Sequence, residues 1–319
     1  MAEDVLTAPQ QFRAQADWSR RLGSLLYAHM LTRAAEDYEA GGPVRELLDP
    51  HAQDCRGMAL PLQLMAAVHR LVLKGHAPEL ARFYPSAGGS LAIEESWESF
   101  RGTIAEQMEA LRELVKRPVQ TNDPGRSGSL LGGFLLIARC TGLPLRLLEI
   151  GSSAGLNLCW DRFRYEWPGG GWGDPASPLR LADVFVDGAP PQAAVTIIER
   201  CGCDRAPADV HSSEGRLTLL ACTWPDQLER IQRLEAAIGI CTRRILRGGT
   251  GQRCGLAGIT AGASRGGRRD CGLSFRRVAL HGRIRAGADH RHHREGRPGG
   301  HAGRATGMVE NGAASRVQQ

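Results

Sequence analysis

Apolar residues in the first third of the chain recur at helical spacing. Leu22, Leu25, Leu26, His29 and Met30 form one stripe, and Gly41-Gly42-Pro43 ends that helix by combining flexibility with a lost donor. Leu64, Val68, Leu71 and Val72 form a second, running to a C-cap at Gly75. Trp97, Ile104, Met108, Leu111 and Val115 form a third that stops before Pro118. His29 and His69 sit among these apolar neighbours and read as partly buried core histidines rather than ligands. Asn122-Asp123-Pro124-Gly125 is a strong turn signal and marks the end of a helical region, residues 1–125.

The pattern then changes. Ser129–Cys140 reads as a strongly apolar helix, Gly142-Leu143-Pro144 as a break and Leu145–Ile150 as a short buried strand. Gly151-Ser-Ser-Ala-Gly155-Leu-Asn-Leu follows as a small-residue turn opening a helix. Helix, strand, glycine turn and helix in that order open a Rossmann-like α/β domain. A second strand is expected at Val195–Cys201 and a third at Leu217–Thr223, then a loop at Trp224-Pro225-Asp226 and a helix over Gln227–Ile238. The fold class is therefore α/β: a helical region, an incomplete Rossmann-like domain over 126–240, and a tail.

The tail, 241–319, has neither a 3.6 nor a 2 period and is expected to be disordered. Charge divides at the same point. Residues 1–240 carry 24 Lys+Arg and 30 Asp+Glu, net −6, and residues 241–319 carry 16 Arg and 4 acids, net +12, giving the total of +6. Codons read from the second base of each residue explain this. With free choice of synonyms, Asp270 through Gly282 can spell T-V-V-F-H-S-V-V-W-R-Y-M, a buried strand followed by aromatics, and Met308-Val309 forces a Trp. Lys74 and Lys116 are the only lysines, as in a GC-rich genome whose shifted frames read as Arg, Gly and Ala. A frameshift near residue 240 is the expectation, against a genuine Arg/Gly-rich RNA-binding tail.

The credible body is thus mildly acidic, and composition makes no case for a nucleic-acid or membrane partner. No signal peptide or membrane-length apolar run is read, and the six body cysteines have no zinc-ligand spacing. A cytoplasmic protein with reduced, buried thiols and no metal is expected.

Candidate chemistry centres on the glycine turn. Leu147-Leu148-Glu149-Ile150-Gly151-Ser152-Ser153-Ala154-Gly155 resembles the first motif of class I S-adenosylmethionine-dependent methyltransferases, in which an acid closes the first strand before a Gly-x-Gly-x-Gly turn. Glu149 matches the acidic position, Gly151 and Gly155 match the outer glycines, and Ser153 replaces the middle one. Small residues are needed where a ligand packs against backbone. On this resemblance Glu149, Gly151, Ser153, Gly155 and Asn157 form the cofactor turn. Asp204, after the second strand, grips the ribose hydroxyls. Its spacing, 204 − 149 = 55, exceeds the roughly 20 residues of a compact unit, so the Gly/Pro-rich Trp167–Pro191 stretch must be an insertion. Glu166 is the nearer acid. Methyl transfer needs donor and acceptor held in line and water excluded, so no catalytic residue follows from sequence.

The same residues satisfy Gly-x-Ser-x-Gly, the nucleophile elbow of α/β-hydrolases, with Ser153 as nucleophile. Against it, helices rather than strands precede the turn, and the body offers only His211 as a downstream histidine. A serine hydrolase, a non-catalytic ligand-binding protein and a truncated product without function stand as alternatives.

Val119-Gln-Thr-Asn122, the Leu-Gly-Gly-Phe within Gly128–Ala138, Leu145–Leu158, Trp160-Asp161-Arg162, Gly202–Pro207 and Trp224-Pro225-Asp226-Gln227 resemble a bacterial family catalogued as domain of unknown function 2332. So do Trp18–Gly23 and Phe83-Tyr84-Pro85-Ser86. The resemblance implies that the chain should continue with a V-V-F-H-S-V-V-W strand, which it contains only out of frame. The expected activity is binding of S-adenosylmethionine, a small-molecule cofactor, with methyl transfer to an unidentified acceptor in an intact parent.

Overall fold

A computed structural model describes residues 6–52, 59–185, 188–245, 269–274, 278–281 and 307–309. The first half is helical: α1 (Ala8–Arg21), α2 (Leu25–Glu39), α3 (Pro43–Ala52), α4 (Ala59–Leu73), the single turn α5 (Pro78–Ala81), α6 (Ser96–Glu106) and α7 (Met108–Leu114). α1 carries no apolar stripe legible in sequence, because Gln11, Gln15 and Ser19 share its buried face with Phe12 and Ala16. The stripe read as one helix from Leu22 is divided. Gly23 takes φ +82° between α1 and α2, leaving Leu22 and Leu25 exposed while Leu26 and Met30 are buried. The Trp97–Val115 stripe is likewise two helices, broken at Gln107. Gly75 ends α4 at φ +75°, with His76 N–H donating to Leu71 O.

α8 (Arg126–Thr141) leads through Gly142 into the central strand β1 (Leu145–Ile150). After the glycine turn comes a 3₁₀ helix, Leu156–Arg162, where an α-helix was expected. Five consecutive residues there, Leu156 to Trp160, are buried. A single apolar stripe of an α-helix cannot bury five in a row. The stretch expected as an insertion, Trp167–Pro191, carries β3 (Gly170–Trp172) and β4 (Arg180–Leu181), which pair with β2 (Arg164–Trp167) at its start to form a small sheet ordered β3-β2-β4. β5 (Ile197–Cys203) follows, then α9 (Ser213–Ala221) and α10 (Leu228–Ile245). α9 corrects the strand expected at Leu217–Thr223: Ser212 Oγ accepts Gly215 N–H at 2.9 Å as an N-cap, and a short apolar run does not by itself separate strand from helix.

β1 lies between β5 and β6 (Arg269–Ser274), parallel to both, and β7 (Val278–His281) and β8 (Gly307–Val309) extend the sheet antiparallel, giving the order β5-β1-β6-β7-β8. Beyond residue 245 these three strands are the described structure; the remainder of the segment expected to be disordered lies outside the described residues.

Two hydrophobic cores result. One joins α1 to α7, with Phe12, Tyr27, Met30, Tyr84 and Phe100 at its centre, and also takes in Trp224 from the second half. The other surrounds β1 and stacks Trp160 between Phe134 at 4.4 Å and Trp172 at 5.2 Å. The two regions are tied by Asp226, which accepts Ser24 Oγ–H at 2.6 Å and Leu26 N–H at 3.1 Å. His69 is a second tie. It is fully buried on α4, with Nδ1 3.2 Å from Ala221 O and Nε2 2.8 Å from Ser86 Oγ. Since Ala221 O can only accept, Nδ1 carries the proton and Nε2 accepts from Ser86. Both histidines read from sequence are core residues, His29 being half-buried. Cys140, Cys203 and Cys222 are free thiols, Cys159 Sγ lies 2.9 Å from Cys241 Sγ, and Cys201 is disulfide-bonded, a departure from the expectation of reduced thiols throughout.

Candidate functional site

Residues alternate across β1. Leu145, Leu147 and Glu149 point to one face, where the two leucines are buried in the core and Glu149 is buried with them. Ile150 points the other way and is 50% exposed at the strand's carboxyl end. Both Glu149 carboxylate oxygens are buried and lack a hydrogen-bond partner among the described residues. Burial pushes its pKa up to about 8; Cys159 and Asp204 add to the rise, and the Arg126 charge opposes it. A carboxylate in this position is an acceptor without a donor.

The turn beyond it is held from β5. Gly151 and Ser152 N–H both donate to Cys203 O, at 2.8 and 3.1 Å, and Ser153 N–H donates to Asp204 Oδ2 at 2.8 Å. Gly151, Ser153 and Gly155 take φ of +73°, +52° and +74°. Space over Gly151 is open, since a Cβ there would meet nothing within 4 Å, so a ligand has room against that backbone. Gly202 is closed by contrast, with the Ser152 hydroxyl 2.6 Å from where its Cβ would stand. Ser153 is a serine in a conformation that glycine adopts without strain. Its hydroxyl is buried and has no partner among the described residues.

Of the residues singled out in sequence, Glu149, Gly151, Ser153, Gly155 and Asp204 therefore meet at one end of β1. Asp204 does two backbone jobs there, accepting Ala206 N–H at 2.9 Å as well as Ser153 N–H. Asn157 lies behind the turn: it is buried, its Nδ2 donates to Asp123 O at 3.3 Å, and its Oδ1 lacks a partner among the described residues. Glu166 is elsewhere, on β2 of the small sheet, paired with Arg164 and Arg180. The β5-β1-β6 order places the turn where chain order reverses, since β1 is followed by β5 on one side and then β6 on the other. Ligand crevices in open parallel sheets form at such a point, beyond the carboxyl ends of the strands.

Sequence reasoning missed a cleft of about 840 Å³ between the helical region and the α/β unit, walled by Trp18, Tyr27, Trp224, Arg126 and Arg233 among others. Its traces in the sequence are scattered: Trp18–Gly23, Val119–Asn122 and Trp224–Gln227 each contribute to its lining, with Arg126 after the Asn122–Gly125 turn and the i, i+3 pair Arg230 and Arg233 on α10. Among the described residues there is no cluster of His, Cys, Asp and Glu able to hold a metal ion, and no helix long and apolar enough to cross a membrane.

These features define a mixed α/β protein whose chemistry-bearing groups gather at the carboxyl end of a central parallel strand. The chain belongs to the bacterial family described as "Uncharacterized protein conserved in bacteria (DUF2332)", which it matches over residues 9–247. No curated protein and no solved structure matches it.

Proposed function

We propose that the carboxyl end of β1 is a binding site for S-adenosylmethionine and that the intact parent protein is a methyltransferase of undetermined acceptor. The observation that carries this reading is the buried Glu149 carboxylate, unpartnered among the described residues, beside a turn with open space over Gly151. A ligand bearing an ammonium group and a narrow polar edge would supply the missing donor and pack on the turn backbone. Asp204 would face the ribose with the lone pairs its two backbone bonds leave over. The cofactor would supply the methyl group; the chain's own residues would orient it and exclude water.

A family match ending at 247, close to where periodicity is lost, supports a reading-frame change in this chain. Resequencing across codons 235–250 tests that directly. Calorimetry on the frame-restored protein tests the cofactor. S-adenosylmethionine should bind the wild type, and Gly151→Val, which cannot adopt φ +73° without strain, should abolish binding. Absence of binding by the restored wild type would end the proposal.

One observation favours a second reading. A nucleophile elbow also holds its serine in strained backbone, and Ser153 has φ +52°. Its hydroxyl, however, has no base within hydrogen-bond reach among the described residues, and a 3₁₀ helix follows the turn. Stoichiometric labelling by a fluorophosphonate, lost in Ser153→Ala, would make the hydrolase reading the better one.

A further inference from the structure

We infer that the cleft between the helical region and the α/β unit binds a small apolar or aromatic molecule through a carboxylate anchored on Arg233. As the pocket of the second substrate this rests on the cofactor reading above; the binding itself does not.

The cleft shares a wall with the glycine turn. Segment 119–126 lines it on one side, and on the other Asn122 Oδ1 accepts Leu156 N–H at 3.0 Å while Asp123 O accepts from Asn157. Arg126 lines the same cleft, and its charge acts on Glu149. A molecule held here therefore lies one layer of chain from the turn. The volume of about 840 Å³ falls within the range of small-molecule sites.

The walls set the ligand's body. Tyr27 and Trp224 are buried aromatics, while Trp18, Leu22 and Leu228 are 45–48% exposed and form an apolar mouth. Such a patch rimmed by charge marks a binding surface.

The charges set its head group. Formally the lining balances, with Arg126, Arg230 and Arg233 against Asp123, Asp226 and Glu229. Most of that balance is committed internally. Asp226 caps α2. Asp123 accepts Gly125 N–H at 2.9 Å and pairs with Arg230 at 3.2 Å, and Arg230 also lies 5.5 Å over the Trp224 ring. Glu229 stands exposed at the rim. Arg233 differs from these: it is half-buried, and its Nε is buried with no partner among the described residues. It stands beside Gly125, its Nη1 3.8 Å from the point where a Cβ on that residue would lie. A guanidinium that lines the cleft with no ion pair among the described residues selects a planar anion, and a carboxylate fits its fork.

Three probes sharing one body test this on the full chain: 3-phenylpropanoate, 3-phenylpropan-1-ol and 3-phenylpropan-1-amine, titrated against tryptophan fluorescence. The propanoate should bind about tenfold more tightly than the alcohol, and the amine should be the weakest. Arg233→Gln should abolish the propanoate's advantage and leave the alcohol's affinity unchanged, which a misfolded variant would not do. Trp18→Ala, at an exposed position, should weaken all three. The proposal is overturned if no probe gives a saturable signal, if the amine binds as well as the propanoate, or if Arg233→Gln retains the preference. Since no cofactor is present in the titration, its outcome is independent of the calorimetry on S-adenosylmethionine.

Discussion

Asp204 and Ser153 are joined across two strands: the Asp204 carboxylate at the end of β5 accepts the Ser153 backbone N–H at 2.8 Å. Since the same carboxylate also holds Ala206 N–H, it organises the turn whether or not a ligand is present. Asp204→Ala should therefore lower stability by about 2 kcal/mol, and Asp204→Asn by roughly half of that, because an amide oxygen still accepts one bond. Urea denaturation measures both. A loss below about 0.5 kcal/mol in the alanine variant would show the turn to be held by other means.

Ser153→Gly should stabilise the protein. Its φ of +52° costs an L-residue roughly 1 kcal/mol that glycine does not bear. Against this, glycine loses more entropy on folding. The expected net is a gain of a few tenths of a kcal/mol with cofactor binding preserved, while Ser153→Ala keeps the strain and gains nothing. A thermal shift series across serine, alanine and glycine reads this directly, and a glycine variant less stable than the alanine one would contradict it.

Glu149 sets an alkaline limit on stability. Its carboxyl is raised by burial from 4.5 to about 8, so the unfolded chain gives up its proton first. The stability present below pH 4.5 is progressively lost as pH rises toward 8. Glu149→Gln, neutral at every pH, should flatten stability across that window and be the more stable protein above it. An ammonium ligand binding beside the wild-type carboxyl should drive off its proton. Calorimetry near neutral pH, in buffers of differing ionisation enthalpy, should then report release of up to one proton by a protein carrying the proposed restored frame. Unchanged heats across buffers would separate the ligand from Glu149.

His69 acts at the acid end. Burial pushes its pKa down from 6.5 to about 4, so the unfolded chain binds the proton first as pH falls. Its contribution is complete above 6.5 and is lost between there and about 4. His69→Gln should cost stability at neutral pH, where the Ala221 and Ser86 bonds are disturbed, yet show a shallower acid limb. An acid limb as steep as that of the wild type would assign the loss to other groups.

Asp226→Ala should loosen the seam between the two regions. It removes the side-chain acceptor of Ser24 Oγ–H and Leu26 N–H at the start of α2, a loss of about 1–2 kcal/mol. Hydrogen exchange at Leu26 should speed up more than exchange within β1. Uniform acceleration would mean that the bond contributes only to global stability.

How much of this could be read beforehand follows from where the information lies. β1 was legible residue for residue, because a run of Leu-Arg-Leu-Leu-Glu-Ile between a proline and a glycine turn leaves little alternative. α1 was not, because glutamines occupy its buried face, and α9 was misread because Leu217–Ala221 suits either element. Glu149, Ser153 and Asp204 were legible as types at a turn. What each does was not: the lack of a donor to Glu149 among the described residues and the backbone duty of Asp204 depend on strand register, which no local pattern encodes. The cleft and Arg233 were invisible for the same reason, since their walls come from positions about 200 residues apart, as the 202-residue separation of Ser24 and Asp226 illustrates.

That separation also fixes a timetable during synthesis. α1 and α2 leave the ribosome first, yet the acceptor for Ser24 and Leu26 at the start of α2 is Asp226, and the last aromatic of the first core is Trp224. The N-terminal half must therefore wait, with apolar faces incomplete, for nearly the whole family-matched segment to be translated. Once residue 226 has emerged, every side chain of that core among the described residues has been made. A change of reading frame further along, as proposed above, would come too late to alter any described residue of that core.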